Sequence, residues 1–510
     1  MEQMRTVGAF ILDNMRSISV GRENALGEDI ELCPEKNIVT RKYTCESSSP
    51  EDSSSSETST STTAESSRRL PTRSQKNKLE NADGLEDHHT EDGNDEEGTS
   101  SAWQACWNVI NCMQGIGTLS LPYTVKEGGV AALVTMVVVM FLGHYTSKIL
   151  VYCMYEEVDD AQAQNSACSR KRHHGLRVTR RVHKTYADIA RAYHVYGDHV
   201  VNVMQIIDMT SLAALYLQLC GALLVDTFQQ AGLSQLAWTT IAAVALLPTV
   251  LLKNLTKISW LSLVALLSLV VMYGSVVWYS FRLSIRWDIG AIAKFDAQSF
   301  TVSAAIIVFT FGAQFLMPSV EGSMRERTRF SMVLHCSFAV TGIISVAYSL
   351  FAFLTFGENT QEFITYNMPL GPLQALVSCL FVIKSLLTYP LLIFLIVSTI
   401  DSMQLSSIPK CYPDEGSLLP PIWAVVFRLL LVALTLLLAV AVPHFSLLMS
   451  FTGSLIAPWL DFIFPCIFYL KLRKRSIRLY EQIFVWFIVI FSGVAGLIGI
   501  FYSLKALVSV

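Results

Sequence analysis

The chain repeatedly offers apolar stretches long enough to cross a bilayer, and that recurrence limits its fold more than any single motif. From about residue 103 to the end, runs of the roughly 20 apolar residues that one crossing needs follow one another with short polar breaks. Inside hydrocarbon every backbone N–H and C=O must be paired, which leaves only helices and closed barrels. The runs are continuous and do not alternate apolar with polar, so they lack a barrel's pattern. With 52% hydrophobic and 15% charged residues, the expected fold class is an all-α polytopic membrane protein. Spans are predicted at 103–125, 130–154, 198–225, 235–252, 257–281, 301–321, 332–356, 371–399, 421–441, 444–470 and 482–507, eleven in all.

The first hundred residues differ. They contain SSSPEDSSSSETSTSTTAESS and an acidic run ending in TEDGNDEEGTS. Such a composition buries no core, so residues 1–101 are expected to be a disordered tail and 102–510 the membrane domain. The opening MEQMRTVGAFILDNMRSI has a short apolar patch and no following cleavage site, unlike a signal peptide. Basic residues orient the spans. They gather in SRKRHHGLRVTRRVHK after the second span, at Lys253 and Lys257, at Arg325, Arg327 and Arg329, and in KLRKRSIR after the tenth. The alternate loops hold few, chiefly Lys126, Arg282, Arg286 and Lys294. A cytosolic N-terminus follows, and an odd number of spans puts the C-terminus on the far side. The sequon at Asn254 then lies in a cytosolic loop and stays unglycosylated. None of the 11 cysteines falls in a far-side loop, so no structural disulfide is expected. A net charge of −3 suggests no nucleic-acid partner.

Two spans carry features that weaken a helix. Residues 108–125 read NVINCMQGIGTLSLPYTV, with Asn111 and Gln114 beside Gly115 and Gly117, then Pro122. Five spans later AAIIVFTFGAQFLMPSVEGSM places Gln314 beside Gly312, then Pro318. Segments five spans apart cross in opposite directions, the pattern of an inverted repeat whose paired broken helices make a solute site. Backbone N–H groups freed at a half-helix start favour negative charge, and glycine permits close approach. The expected ligand is a small anionic or zwitterionic solute. Its carboxylate would meet the backbone of Gly115, Ile116, Gly117 and Thr118, with Asn111 and Gln114 in support, while Phe311, Gly312 and Gln314 line the opposite side. Glycine and proline that merely kink packed helices are the alternative.

Charges within spans are costly and mark functional candidates. Lys384 is the deepest, in CLFVIKSLLTYP. Asp208 shares a helical face with Asn202 and Gln205 and is the first candidate proton carrier. Glu321, just past Pro318, is a gate or proton-site candidate. His444, in VPHFSLL, titrates in a range that suits an acidic compartment. Arg428 is expected to snorkel to the cytosolic interface. No zinc-spaced set, HExxH, phosphate loop or GxSxG occurs, and His173–His174 reads as part of a basic, solvated loop.

Several stretches resemble the amino acid/auxin permease family: AWQACWNVINCMQGIGTLSLPY, GHYTSKIL with YCMYEE, VVNVMQIID, KNLTKISWLSLV, AAIIVFTFGAQFLMPSVEGSM, KSLLTYPL and VPHFSLLMSFTGSL. The similarity covers about residues 102 to 508. It implies an amino acid permease/LeuT-like fold, a five-plus-five inverted repeat with an eleventh helix. In the vesicular branch of that family it implies secondary active transport of GABA and glycine into synaptic vesicles, with lumenal protons leaving in exchange. β-Alanine is a further candidate substrate. No cofactor or metal is implied; the proton gradient supplies the energy, chloride is left open, and a monomer in the lipid bilayer suffices. In transporters of this architecture a sodium ion often sits where helix 8 faces helix 1, and the Lys384 ammonium would replace it. The break reads QGIGTLSLPY, closer to the wider family than to the vesicular branch, and Asp208 stands where that branch suggests glutamate. A plasma-membrane or lysosomal proton symporter and a non-transporting amino acid sensor are the alternatives.

Overall fold

The computed structural model describes residues 28–32, 38–43, 98–158, 176–250, 260–282, most of 287–369, 371–404, 422–442, 444–473 and 477–508. The expected disorder of the rest of the tail, the Lys253–Lys257 loop with Asn254, and His173–His174 lie outside these residues. So do Cys33, Cys45, Cys168 and Cys411.

The elements run in chain order as follows. Strands β1 (Glu28–Leu32) and β2 (Ile38–Tyr43) come first. Helix α1 (Ala102–Met113) is followed by a 3₁₀ turn (Ile116–Ser120) and α2 (Leu121–Tyr152). Then come β3 (Tyr155–Val158), β4 (Leu176–Arg181), α3 (Tyr186–Tyr193), α4 (Gly197–Thr227), α5 (Gln235–Val250) and α6 (Trp260–Arg282). The second half holds α7 (Ala297–Phe311), α8 (Met317–Ser323), α9 (Phe330–Phe356), α10 (Ile364–Asn367), α11 (Pro372–Ser402) and α12 (Ile422–Ala441). It closes with α13 (Phe445–Leu455), α14 (Phe464–Leu472) and α15 (Leu479–Val508). By length and composition, eight helical stretches among the described residues can cross a membrane, and Gln235–Val250 is a shorter apolar helix.

Local chemistry explains the interruptions. Ser101 and Gln104 form a reciprocal capping box that starts α1, with Gln104 N–H donating to Ser101 Oγ at 3.3 Å and Ser101 N–H to Gln104 Oε1 at 2.9 Å. The helix stops at Gln114, and Gly115 turns out of helical geometry at φ −75°, ψ −146°. Pro122 falls in the first turn of α2, where its missing N–H costs nothing. Gly129 takes φ 56°, a conformation open chiefly to glycine. Chain reversal accompanies it. Ser100 N–H donates to Ser323 O and Tyr155 to the Glu321 carboxylate, so residues 100 and 155 lie at one end of the bundle. Lys126 reaches the Thr360 carbonyl at the other. In the second half α7 begins at Asp296, which accepts the Ser299 N–H at 2.8 Å. That bond holds the Asp296 carboxyl below the ordinary aspartate range. α7 ends at Gly312 (φ −64°, ψ 120°), and a 3₁₀ turn at Gln314–Leu316 leads into α8 with Pro318 in its first turn. A third irregularity has no counterpart in the sequence expectations: a π-helical turn at Pro458–Ile463 joins α13 to α14.

Packing divides the apolar interior into two cores. One gathers around α1, α2, α9, α14 and α15; the other around α4, α5, α6, α11 and α12. Strands β1, β2, β4 and β3 form an antiparallel sheet in that order, so two strands from the tail region join the hairpin of the loop after α2. Arg428 does not snorkel. It is 1% exposed and donates from Nη1 to the Val250 carbonyl at the end of α5 at 3.1 Å.

Small residues set the helix spacing. A Cβ on Gly453 would strike the Ala305 carbonyl and come within 2.8 Å of Phe309 Cβ, so α13 meets α7 backbone to backbone. Gly453→Val should therefore cost about 1–3 kcal/mol by overpacking and lower the unfolding temperature of detergent-purified protein. Gly493→Ala, with nothing within 4 Å of the new carbon, should leave that temperature unchanged.

Candidate functional site

Both breaks open on one cavity. Its wall includes Cys112, Gly115, Ile116 and Gly117 from the first break, Phe309, Thr310, Gly312 and Phe315 from the second, Asp208, Leu212 and Tyr216 from α4, and Ala457, Leu460 and Asp461 from the π turn. It encloses about 60 Å³, room for a few waters. Leu460 belongs to one apolar core and Ile116 and Tyr216 to the other, so the cavity lies where the two cores meet. Close approach is the reason for two of its glycines. A Cβ on Gly117 would collide with Thr310 Oγ1, and one on Gly312 would lie 2.6 Å from Asp461 Oδ2.

The amides beside the breaks do different work from that expected. Gln114 Nε2 donates to Ser345 Oγ at 3.0 Å and to the Thr341 carbonyl at 3.4 Å on α9. Its Oε1 accepts from Thr118 Oγ1 at 2.9 Å and from the Tyr273 hydroxyl. Gln314 mirrors this: Nε2 donates to Thr146 Oγ1 at 3.1 Å and the Gly143 carbonyl at 3.5 Å on α2, and Oε1 accepts the Ala313 N–H at 2.8 Å. Each glutamine thus ties its break to a neighbouring helix. Neither lines the cavity, and neither do Asn111, Thr118, Phe311 and Lys384. Asn111 Oδ1 is buried without a partner among the described residues. Phe311, 2% exposed, packs into the core around α1 and α2.

Lys384 does meet the first break. Its ammonium, on α11 and 2% exposed, donates to the Gln114 carbonyl at 2.8 Å. A cation at the carbonyl end of a helix offsets the partial negative charge there. Asp208 lines the cavity as its placement in the sequence suggests. Asp461, 5% exposed, was not among the expected residues although the rule that marks intramembrane charges applies to it equally. Nothing in the sequence announces Thr310 or Tyr273 as partners of the break, since each is an ordinary apolar-helix residue until the bundle is assembled.

The two ends of the bundle close differently. At the end with the arginines, Arg181 Nε lies 3.0 Å from Glu321 Oε2, and Tyr155 donates to the same carboxylate. Glu321 is fully buried. Burial first, then the Glu321 carboxylate, push the Tyr155 hydroxyl up, so it stays a donor. Beside this, Ser100 bridges the chain after α8: Ser100 N–H donates to Ser323 O and Arg325 N–H to Ser100 O, both at 2.9 Å. At the opposite end Glu362 accepts from Ser446 Oγ at 2.8 Å, and His444 Nδ1 lies 3.8 Å from it. These groups edge a wider recess of about 610 Å³ that also includes Tyr123, Lys126 and Gln218. Neither His444 nor Glu321 lines the cavity wall; they sit at opposite ends of the bundle.

Residues 98–508 match the family model described as transmembrane amino acid transporter protein. The chain is 34% identical to the vesicular inhibitory amino acid transporter of Xenopus tropicalis over 419 residues, covering 80% of this chain and 77% of that one. It is 29% identical to the vesicular GABA transporter of Caenorhabditis elegans over 409 residues, covering 79% of each. Among solved structures it resembles MhsT in complex with L-phenylalanine, with 11% identity, a TM-score of 0.47, and 80% of this chain and 99% of that one covered.

The geometry makes two site predictions. Gly117→Ala should drive the first break away from α7 and reduce ligand binding at least tenfold in a radioligand assay; adding Thr310→Ala, which removes Oγ1 and the methyl group, should restore part of it. Glu321→Gln leaves Arg181 buried without its carboxylate, a costly arrangement, and should loosen that end. A membrane-impermeant thiosulfonate applied from the Arg181 side should then modify Cys112 several-fold faster, measured as the difference from the same variant carrying Cys112→Ser.

Proposed function

The chain belongs to the family of transmembrane amino acid transporter proteins, and on that premise we propose that it exchanges protons for GABA, glycine or a similar small neutral amino acid across a synaptic or other cytoplasmic vesicle membrane. The family's work is transport and not catalysis. The observation that carries the finer reading is the single cavity shared by two interrupted helices, with backbone exposed at Gly115–Gly117 and Gly312 and carboxylates on the facing wall. A zwitterion fits that combination: N–H groups at a half-helix start take its carboxylate, and the acids take its ammonium. The names of the Xenopus and Caenorhabditis relatives support an inhibitory amino acid as substrate.

In this reading the domain comprises eleven crossings, with Ile116–Tyr152 folding back at Gly129 and the shorter Gln235–Val250 also spanning. The glutamine ties support an inverted repeat. Gln114 of the first span reaches the seventh, and Gln314 of the sixth reaches the second, as a two-fold in the membrane plane requires. Residues 1–101 form a cytosolic tail, the arginine-rich end faces the cytosol and the C-terminus the lumen. Lys384 holds the first break in place where sodium would otherwise sit, and Asp208 carries the proton. Gly115, Ile116, Gly117 and Thr118 hold the substrate carboxylate, while Asn111 supplies an unused acceptor. No metal or cofactor is required; whether chloride moves with the substrate is set by the charge balance of each cycle. Access alternates when the clasp at Glu321 or the contact at Glu362 releases.

Purified protein in sodium-free proteoliposomes with an acid interior should accumulate labelled GABA, glycine or β-alanine, and the accumulation should collapse when the proton gradient is dissipated. Lys384→Ala and Asp208→Asn should each reduce it at least tenfold. Accumulation driven only by an acid exterior would show a symporter instead, and binding without flux a sensor.

A further inference from the structure

Asp461 is a buried acid that has been given no part in proton coupling so far, and it faces the same space as Asp208. The π turn at Pro458–Ile463 adds a residue to the helix and turns the Asp461 side chain toward Gly312. Its Oδ2 lies within 2.6 Å of where a Cβ on Gly312 would sit. Neither Asp208 nor Asp461 has an ion-pair partner among the described residues. The buried amine of Lys384 does not line the cavity and donates instead to the Gln114 carbonyl. The other titratable groups facing the pair are Cys112 and Tyr216 in the cavity wall and Tyr186 of α3, which donates to the Leu460 carbonyl at 2.7 Å. None of them is a cation. Two carboxylates in one small apolar cavity cannot both be ionised without a positive partner.

We propose that Asp461 and Asp208 share one proton when the cavity is empty and that the ammonium group of the substrate takes that proton's place. The inference rests on the amino acid transport reading and extends it to the coupling step. When substrate enters, the O–H bond of the shared acid breaks and its proton passes to water on the open side. N–H···O contacts from the ammonium form in its stead, and no electron transfer is involved. The acid pair carries a net single negative charge in either case, with one proton or with one ammonium. Proton and substrate therefore exclude each other at one place, and the return of the empty site requires a proton. Mutual exclusion of this kind gives exchange; a symporter would need a site that holds both together.

The test uses the full chain, purified in detergent in weakly buffered solution with a pH-indicator dye. Saturating GABA, glycine or β-alanine should release about one proton per molecule bound, and the Kd should weaken by up to tenfold per pH unit on acidification. The wild-type pH dependence requires no variant. Asp461→Asn should bind more weakly, release no proton and lose the pH dependence, and Asp461→Glu should restore the release and the pH dependence. Binding by the wild type without proton release, or an unchanged release from Asp461→Asn, overturns the shared-proton site alone. Failure of the wild type to bind any of the three amino acids overturns the transport reading as well.

Discussion

The ammonium of Lys384 lies 2.8 Å from the carbonyl oxygen of Gln114, and the broken first helix depends on that contact. Interrupting a helix inside a bilayer strands carbonyls and N–H groups where no water can reach them. The Gln114 carbonyl at the end of α1 meets the Lys384 amine as its donor. The turn that follows, at Gly115–Gly117, borders the cavity. One side of the break is thus satisfied by the protein and the other faces open space. A neutral side chain at position 384 would leave the carbonyl without a strong donor, and the least costly response is to rewind the helix and close the site.

The glutamines play the complementary mechanical part. A break is a hinge unless something fixes the direction of its two halves. Gln114 bonds to α9 and Gln314 to α2, each through an amide whose oxygen also serves its own break. Because amides donate and accept, each side chain can bind the scaffold and the interrupted backbone together. The pairing is alike on both sides, first break to α9 and second break to α2, so each interrupted helix is fixed to a neighbouring helix by the same kind of tie.

Much of this was legible in advance and some was not, for identifiable reasons. The spans and both interruptions could be read because hydrophobic length and the helix-weakening effects of glycine and proline act locally. Gly115, Gly117 and Gly312 were placed at the cavity wall by that logic. Gln114 and Gln314 were recognised as unusual, but their direction was not, because a polar side chain beside a break can face the ligand or the scaffold and only the packed neighbours decide. Arg428 was misread for a similar reason: from the chain alone an arginine near a span end has solvent as its best partner, whereas the folded bundle offers the Val250 carbonyl. Asp461 was missed although the same reasoning covered it, since Pro458 and Pro465 on either side resemble ordinary helix punctuation and conceal the π turn that aims it inward.

The placement of charge also explains why the two approaches are built differently. At the arginine-rich end Glu321 is fully buried and held by a guanidinium and a phenol, two donors that keep it from water. At the other end Glu362 is held by a hydroxyl and lies 3.8 Å from a half-exposed imidazole, within reach of water. Opening the first end means separating a buried ion pair, which leaves both charges without partners until water reaches them. Opening the second means separating a contact that water already reaches, so the two ends differ in what exposure costs them.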